Sequence, residues 1–260
     1  MFNLYVNNSP SSYKTINSAD NSETLQLQPP ILLDPIKNYQ LRVLNANVVY
    51  CQPNITSANN KFSYWVNGVN YVKTIPIGLY GITDIDNTIA RYTTAQNGTQ
   101  LFSFQPNEAT STIIVYFAQA DTYIDTDNVA NSIMPILGFT DGQFGGVSAG
   151  GSVESTQQAE LNTLTQILVS CNITNGSYLN DQFTNVIAGI PINVAPYSSI
   201  PYAPIHPTRN NIFKNRIDTL TITLSSQDLL DLDFTKENTS PPEKWNLTLT
   251  IEDVEMARLL

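Results

Sequence analysis

The chain carries one histidine, His206, and any Ser-His-Asp or Cys-His catalytic arrangement would have to use it. It lies in the segment Pro204-Ile205-His206-Pro207, where the two prolines favour an irregular connection. No nucleophile in a Gly-x-Ser-x-Gly elbow adjoins this segment. We therefore interpret His206 as a loop residue. We predict that the chain has no catalytic residues and is not an enzyme.

The two cysteines, Cys51 and Cys171, stand far apart in the sequence, and neither belongs to a Cys-x-x-Cys pair. Together with one histidine they do not supply a recognised zinc-ligand spacing. A long-range disulfide between them stays open as an alternative. Two buried thiols are the favoured interpretation, because unpaired cysteines are among the most buried residues. We predict no metal site and no cofactor.

Two acidic segments, residues 121–128 and 84–87, offer oxygen atoms of the kind that bind calcium. Neither segment has the EF-hand pattern, and Asp and Asn also cap helices and shape turns. Capping and turn formation are the favoured roles, with calcium binding as the alternative. A carboxylate pair for glycoside hydrolysis is not identifiable here, because the separation that defines it is spatial.

The glycine-rich stretch 141–151 and the tyrosine-rich stretch 196–204 are the remaining candidates for binding. The glycines are not followed by Lys-Ser/Thr and form no phosphate loop, so the pattern predicts a long surface loop. Tyr197 and Tyr202 could stack on a sugar or meet a neighbouring subunit. An extended Pro-rich connection along the protein surface is the favoured interpretation.

The composition limits the kinds of protein to which this chain can belong. The 260 residues are 42% hydrophobic and 13% charged, which is enough apolar material for one large domain. With 12 basic and 22 acidic residues the net charge is -10, and this opposes direct contact with a nucleic-acid backbone. The N-terminal residues lack the features of a secretory signal, and no apolar run is long enough to span a membrane. We expect a protein that is made and kept inside a cell.

Alternation of apolar and polar residues predicts two long antiparallel strands at 216–224 and 245–252, each with one buried face. The dipeptide Asn67-Gly68 predicts a two-residue hairpin turn. Short helices are predicted at 84–92, capped by Asp84, and at 129–137, ended by Gly138. Further strands are predicted at 24–28, 39–50, 61–65, 70–75, 101–104, 112–117, 166–173, 185–192 and near 212–213.

These elements predict an all-β fold, a single jelly-roll sandwich of about eight main antiparallel strands with short helices in the connections. Residues 1–22 are predicted to form an N-terminal arm, because residues 7–22 are rich in Asn and Ser and poor in apolar side chains. The jelly-roll domain is assigned to residues 23–252 and a C-terminal tail to residues 253–260.

A set of segments in a fixed order carries a resemblance to a known family. The segments are Ile31-Leu32-Leu33-Asp34-Pro35-Ile36-Lys37-Asn38-Tyr39-Gln40-Leu41-Arg42-Val43-Leu44-Asn45-Ala46, Asn59-Asn60-Lys61-Phe62, Ile75-Pro76-Ile77-Gly78-Leu79-Tyr80-Gly81-Ile82-Thr83-Asp84-Ile85, Ile136-Leu137-Gly138-Phe139 and Cys171-Asn172-Ile173-Thr174-Asn175-Gly176-Ser177-Tyr178. In this order the chain resembles the penton, or minor capsid, proteins of virophages and of polinton-like or adintovirus-like DNA viruses. The similarity covers most of residues 23–252.

The resemblance implies a viral structural protein, a penton subunit that forms homopentamers at the fivefold vertices of an icosahedral capsid. The implied partners are a double-jelly-roll major capsid protein and other minor capsid proteins, and the implied location is the virion vertex after assembly inside the infected host cell. Such proteins have no catalytic residues to transfer. The alternative function is that of a carbohydrate-binding or host-attachment jelly-roll protein of a virus, acting through residues 142–151 or 197–202.

Overall fold

The structure is a computed structural model that describes residues 2–7, 14–17, 22–140, 142–161, 164–179, 182–195, 197–229, 232 and 245–254. The chain divides into two compact units. We call residues 1–52 together with 164–260 the terminal unit, and residues 53–163 the inserted unit. The described residues are mainly β-strand, with one α-helix, so the predicted all-β class is confirmed and the sheets are consistent with a jelly roll.

The terminal unit is built from two antiparallel sheets and a separate hairpin. Its strands are β1 (Phe2–Asn7), β2 (Lys14–Asn17), β3 (Ser22–Leu32), β4 (Tyr39–Val49), β12 (Gln166–Cys171), β13 (Ser177–Leu179), β14 (Gln182–Thr184), β15 (Val186–Pro191), β16 (Ser199–Tyr202), β17 (Asn210–Asn211), β18 (Arg216–Ser225) and β19 (Trp245–Asp253). One sheet has the order β1-β19-β4-β16, with β17 also paired to β4, and the other has the order β15-β12-β18-β3-β2. The hairpin joins β13 and β14.

The predicted alternation holds for part of the two long strands. In β18 the apolar residues Leu220 and Ile222 are buried, and β19 buries Leu247 near its start. From Leu249 to Asp253 every residue of β19 is buried, so the prediction of one exposed face is wrong for that end of the strand. The two strands are not neighbours, because β18 pairs with β12 and β3 and β19 pairs with β1 and β4. The strands predicted at 39–50, 166–173, 185–192, 216–224 and 245–252 are all confirmed within a few residues.

Asn210 connects the two sheets of the terminal unit. It is a buried residue of β17, and its Nδ2 lies 3.5 Å from the Leu41 carbonyl oxygen in β4 and 3.2 Å from the Ile187 carbonyl oxygen in β15. A buried amide must find hydrogen-bond partners, and here it finds them on both sheets. The strand predicted near 212–213 is the two-residue β17.

The inserted unit contains two smaller sheets and the helix. Its elements are β5 (Lys61–Val66), β6 (Val69–Thr74), α1 (Ile82–Asn97), β7 (Phe102–Asn107), β8 (Thr112–Phe117), β9 (Thr122–Asp125), a 3-10 helix (Met134–Leu137), β10 (Gln143–Gly145) and β11 (Ser152–Glu154). The first sheet has the order β10-β9-β5-β6 and the second has the order β11-β8-β7.

Aromatic rings fill the core of the inserted unit. Phe62 lies 5.5 Å from Tyr64, 5.8 Å from Phe102 and 6.2 Å from Phe104 between ring centroids. The contacts of Phe62 with Phe102 and Phe104 are edge to face, the geometry that the aromatic quadrupole favours. Phe139 is buried in the same cluster.

The helix α1 is longer than the predicted segment 84–92. The N-cap is Gly81 and not Asp84 as predicted. Asp84 is the third residue of the helix, and its carboxylate accepts a hydrogen bond from the Gly81 amide at 3.0 Å. The helix ends at Gly98, which has a φ of 76° and donates its amide to the Thr94 carbonyl. The predicted hairpin is also confirmed, since Asn67 and Gly68 both have positive φ between β5 and β6.

Part of the predicted N-terminal arm is ordered strand, which corrects the prediction for residues 1–22. Phe2–Asn7 pairs with Asn246–Ile251 along β19, and Val6 is buried. Lys14–Asn17 pairs with β3. The low apolar content of residues 7–22 hid the strand Lys14–Asn17, because backbone hydrogen bonds to a preformed sheet edge need few apolar side chains. At the other end, Asp253 belongs to β19, and the rest of the predicted tail from residue 255 lies outside the described residues.

Two further predictions are wrong in part. The helix predicted at 129–137 is confined to the 3-10 turn Met134–Leu137, ended as predicted by Gly138. Pro135 prevents a longer helix, since it has no amide to donate. The loop predicted at 141–151 contains the strand β10, whose Phe144 stacks on Phe139 at 4.6 Å. Glycine content suggested a loop, but Gly145 and Gly146 are needed where the backbone lies against Phe117 and Tyr123.

Candidate functional site

The residues with the greatest catalytic potential are not brought together. His206 is an exposed loop residue, as predicted. Cys51 and Cys171 are not joined by a disulfide, and Cys171 is buried while Cys51 is partly exposed. Burial raises the pKa of the Cys171 thiol to about 12, so it is not a nucleophile at neutral pH. Among the described residues, no group of three or more His, Cys, Asp or Glu side chains is placed to hold a metal ion.

The two acidic segments serve local structure. Asp125 Oδ1 accepts the amides of Asp127 and Asn128 at 3.1 and 3.0 Å, and forms a turn. Asp86 Oδ1 accepts the Phe104 amide at 2.7 Å and so ties α1 to β7. These bonds support the capping and turn interpretation over the calcium alternative.

The chain contains one Gly-x-Ser-x-Gly pattern, Gly146-Val147-Ser148-Ala149-Gly150, which is distant from His206 in the sequence. In a nucleophile elbow the serine lies on a sharp turn from a strand to a helix. Here the serine is an exposed loop residue, and the next regular element is the strand β11. The Ser148 carbonyl accepts the Gly151 amide at 2.8 Å in a simple turn. The pattern is therefore not an elbow.

The tyrosine-rich stretch forms an edge strand, not a stacking platform. Ser199–Tyr202 pairs with Ala46–Val49 along β4, and Ile200 is buried. Tyr197 lies in a turn with a φ of 60° and Tyr202 is half-buried. Extended pairing along the sheet agrees with the favoured interpretation of this segment.

The first sheet of the terminal unit ends in two different edges. On one side is β1, which pairs with β19 and carries the exposed side chains Phe2 and Tyr5, the latter 74% exposed. On the other side are β16 and β17. No residue of Phe2–Asn7 is charged and none is proline, and within the described part of the chain no strand pairs with the outer side of β1. Such an edge is a template for pairing with another chain.

A polar patch covers the outward face of the same sheet beside this edge. Arg42 forms an ion pair with Glu252, whose side chain is 7% exposed, and Lys37 forms one with Asp253 at 2.8 Å. The hydrogen bond from Lys37 to the Asp253 carboxylate raises the pKa of the lysine. Arg42 Nε and Glu252 Oε1 are buried and have no hydrogen-bond partner among the described residues. Sequence patterning missed this patch, because charges on alternate strand residues normally indicate a solvated face.

An aromatic pair lies on the outward face of the first sheet of the inserted unit. Trp65 in β5 stands directly opposite Tyr123 in β9, and both are partly exposed. Together with Gly68 and Gln143 they line a shallow cavity of about 290 Å³. A larger groove of about 500 Å³ lies near Ile113 and Leu161, with Glu108 and Glu160 among its lining residues.

The comparisons with known proteins give a similarity of fold. No protein-family model matches the chain, and no curated protein sequence matches it either. Among solved structures, the crystal structure of the selenomethionine-labelled mavirus penton protein has a similar fold, with a TM-score of 0.52. The alignment covers 98% of this chain and 100% of the mavirus chain at 13% sequence identity. This likeness shows a penton-like jelly-roll fold.

Proposed function

We propose that this chain is a penton, or minor capsid, subunit that forms homopentamers at the fivefold vertices of an icosahedral virus capsid. The observation that carries the proposal is the similarity of fold to the mavirus penton protein along the full length of both chains. The sequence resemblance to virophage and polinton-like penton proteins supports the same conclusion independently of the structure. The proposed location is the capsid vertex, reached by assembly inside the infected host cell.

A closed ring of identical subunits requires two different surfaces that fit each other. The terminal unit offers two different edges of one sheet, β1 on one side and β16 with β17 on the other. We assign one side of the subunit contact to β1. Its Tyr5 is exposed and none of its side chains is charged, and both features favour burial between chains. The double-jelly-roll major capsid protein and other minor capsid proteins are the proposed neighbours of the ring.

The activity of such a subunit is geometric and needs no catalytic group. The high acidic content opposes contact with packaged nucleic acid. No helix in the described ranges is long and apolar enough to cross a membrane.

The first experiment is to measure the mass of the purified protein by native mass spectrometry and light scattering. We expect a pentamer, or a monomer that becomes a pentamer when co-expressed with the major capsid protein and cross-linked. The variant Tyr5→Lys places a charge on the β1 edge and should shift the mass towards the monomer. The matched control is Ile36→Lys, which alters an exposed apolar residue in a turn and should leave the mass unchanged.

A stable trimer would contradict the vertex assignment and favour a spike. A monomer that never joins assembling capsids would contradict any capsid role. A pentamer that Tyr5→Lys leaves intact would keep the vertex role and remove β1 from the subunit contact.

A further inference from the structure

We propose that the outward face of the β10-β9-β5-β6 sheet is a binding site for a neutral pyranose sugar, with Trp65 and Tyr123 as the stacking platform. We call this surface the Trp65 face and define it by Trp65, Tyr123, Asn70, Gln143 and Gly68. It belongs to the inserted unit, whereas the β1 edge belongs to the terminal unit. Sugar binding on this face requires no particular arrangement of subunits.

The face follows from strand parity and register. Phe62, Tyr64 and Val66 are buried in the aromatic core, so the intervening residues of β5 point to the opposite side of the sheet. Register then places four residues in one row across four strands: Gly145, Tyr123, Trp65 and Asn70. Directly opposite residues on one face are close enough for their side chains to touch. Two aromatic side chains therefore lie side by side on an accessible surface.

Both rings are held in place before any ligand binds. The Trp65 indole Nε1 donates to Asp125 Oδ2 at 3.1 Å, and Asp125 itself is fixed because its other oxygen accepts two backbone amides. The Tyr123 ring lies against Gly146, where a β-carbon would come within 2.4 Å of the ring. A platform that is already ordered loses little entropy on binding.

The open space above the rings is bounded by the hairpin tip and by β10. Gly68 occupies the tip with a φ of 77°, and a β-carbon there would meet no atom within 4 Å. Gln143 is exposed on the other side and lines the same cavity of about 290 Å³. Gly68 therefore lines the cavity without adding a side chain to its rim.

The chemistry of this face fits a sugar better than other ligands with flat surfaces. One face of a pyranose ring presents C–H groups that pack on an aromatic ring, while its hydroxyls need donors and acceptors at the rim. The exposed Gln143 amide supplies both kinds of group, whereas Asn70 supplies its Oδ1 as an acceptor, because its Nδ2 already donates to Ser63 Oγ and to the Tyr64 carbonyl. Nucleotides carry phosphates, and the inserted unit contains three basic against nine acidic residues. The same charge disfavours acidic sugars, so the ligand class is a neutral pyranoside.

The test uses the full chain with a printed glycan array, followed by saturation-transfer NMR with methyl pyranosides of glucose, galactose, mannose and N-acetylglucosamine. Tryptophan fluorescence gives a second readout, since the other tryptophan, Trp245, is buried and in the terminal unit. We expect binding of at least one neutral pyranoside, lost in Trp65→Ala and in Tyr123→Ala. The control Tyr116→Ala removes another exposed aromatic ring of the inserted unit and should bind as wild type does.

A variant that keeps both aromatic rings distinguishes a loss of binding from a loss of folding. Asp125→Asn retains an oxygen for the two backbone amides but cannot accept the Trp65 indole proton through its amide nitrogen. It should keep the fold and weaken sugar binding about tenfold, the equivalent of one lost stacking or hydrogen-bond contribution.

Four results would overturn the proposal. One is the absence of saccharide binding by the wild-type chain, and another is binding that Trp65→Ala does not reduce. The third is a change in oligomer mass in Trp65→Ala without saccharide binding, which would assign the face to a contact between copies of the chain. The fourth is binding of an oligoproline peptide in place of the sugars.

Discussion

The two units of this chain reach stability by different means. The inserted unit packs Phe62, Tyr64 and Phe102 within 6 Å of one another, in a contiguous stretch of sequence. The terminal unit relies on long strands that pair segments from opposite ends of the chain, and it buries the carboxylates of Glu252 and Asp253. Both units bury neutral polar side chains, but among the described residues only the terminal unit buries acidic ones. Ring packing tolerates short strands because each ring buries a large area. In the terminal unit the strand register instead fixes the partners of the buried carboxylates.

The largest expected effect comes from removing one ring of the aromatic core. Phe62→Ala deletes a fully buried side chain and should cost about 3–5 kcal/mol of unfolding free energy. Hydrogen exchange measured by mass spectrometry should speed up in β5 and β7 before it does in β19. The control Tyr116→Ala, at the surface of the same unit, should cost under about 1 kcal/mol. Equal acceleration in both units would show that they unfold as one body.

A somewhat smaller effect is expected from breaking the buried ion pair of the terminal unit. Arg42→Met leaves the buried Glu252 carboxylate without its cation and should cost about 3 kcal/mol, measured by urea unfolding. The double variant Arg42→Met with Glu252→Leu should recover most of this loss.

The matched control for the ion pair is Arg216→Met. Arg216 and Asp218 form an exposed pair at 2.8 Å, and its removal should cost under about 1 kcal/mol. If the control and Arg42→Met cost the same, the polar groups of the terminal unit are not the source of its stability.

The smallest expected effect is a loss of stability at high pH that arises from Cys171. Both cysteines belong to the terminal unit. Burial raises the Cys171 pKa from 9.0 to about 12, so above pH 9 the unfolded chain loses this proton while the folded chain keeps it. Stability should therefore fall as the pH rises from 9 to 10, by at most about 1.4 kcal/mol. The inserted unit contains no cysteine.

The variant Cys171→Ala should remove this contribution from the pH dependence. Burial also raises the pKa of Tyr50, Tyr64 and Tyr202, so the comparison must be between variant and wild type at each pH. An unchanged slope of stability against pH in the variant would contradict the assignment to Cys171.

Local sequence patterns predicted much of the fold. Alternation located β4, β18 and β19, and the hairpin at Asn67-Gly68 and the helix start near Asp84 follow from side-chain chemistry within a few residues. What these patterns missed depends on distant partners. The strand β1 exists because β19 offers it an edge. The glycines at 145 and 146 belong to a strand because they meet Phe117 and Tyr123.

The candidate sites show the same limit. The loop position of His206 was predicted correctly, because the flanking prolines disfavour regular structure. The Trp65 face was not readable, because Trp65 and Tyr123 become neighbours only through the register of β5 with β9. The sequence pattern left stacking by Tyr197 and Tyr202 as an alternative and favoured an extended connection, and Ser199–Tyr202 does pair with β4.

The position of β19 between β1 and β4 has a consequence for the order of events during synthesis. Residues 53–163 are complete long before the last strand leaves the ribosome, and their contacts lie within that stretch, so this unit can fold first. The sheet that carries β1 has to wait for Trp245–Asp253, and such distant pairing is slow to form. A nascent chain therefore lacks the β1 edge in its final form. Association between chains through that edge is delayed until the last strand has been translated.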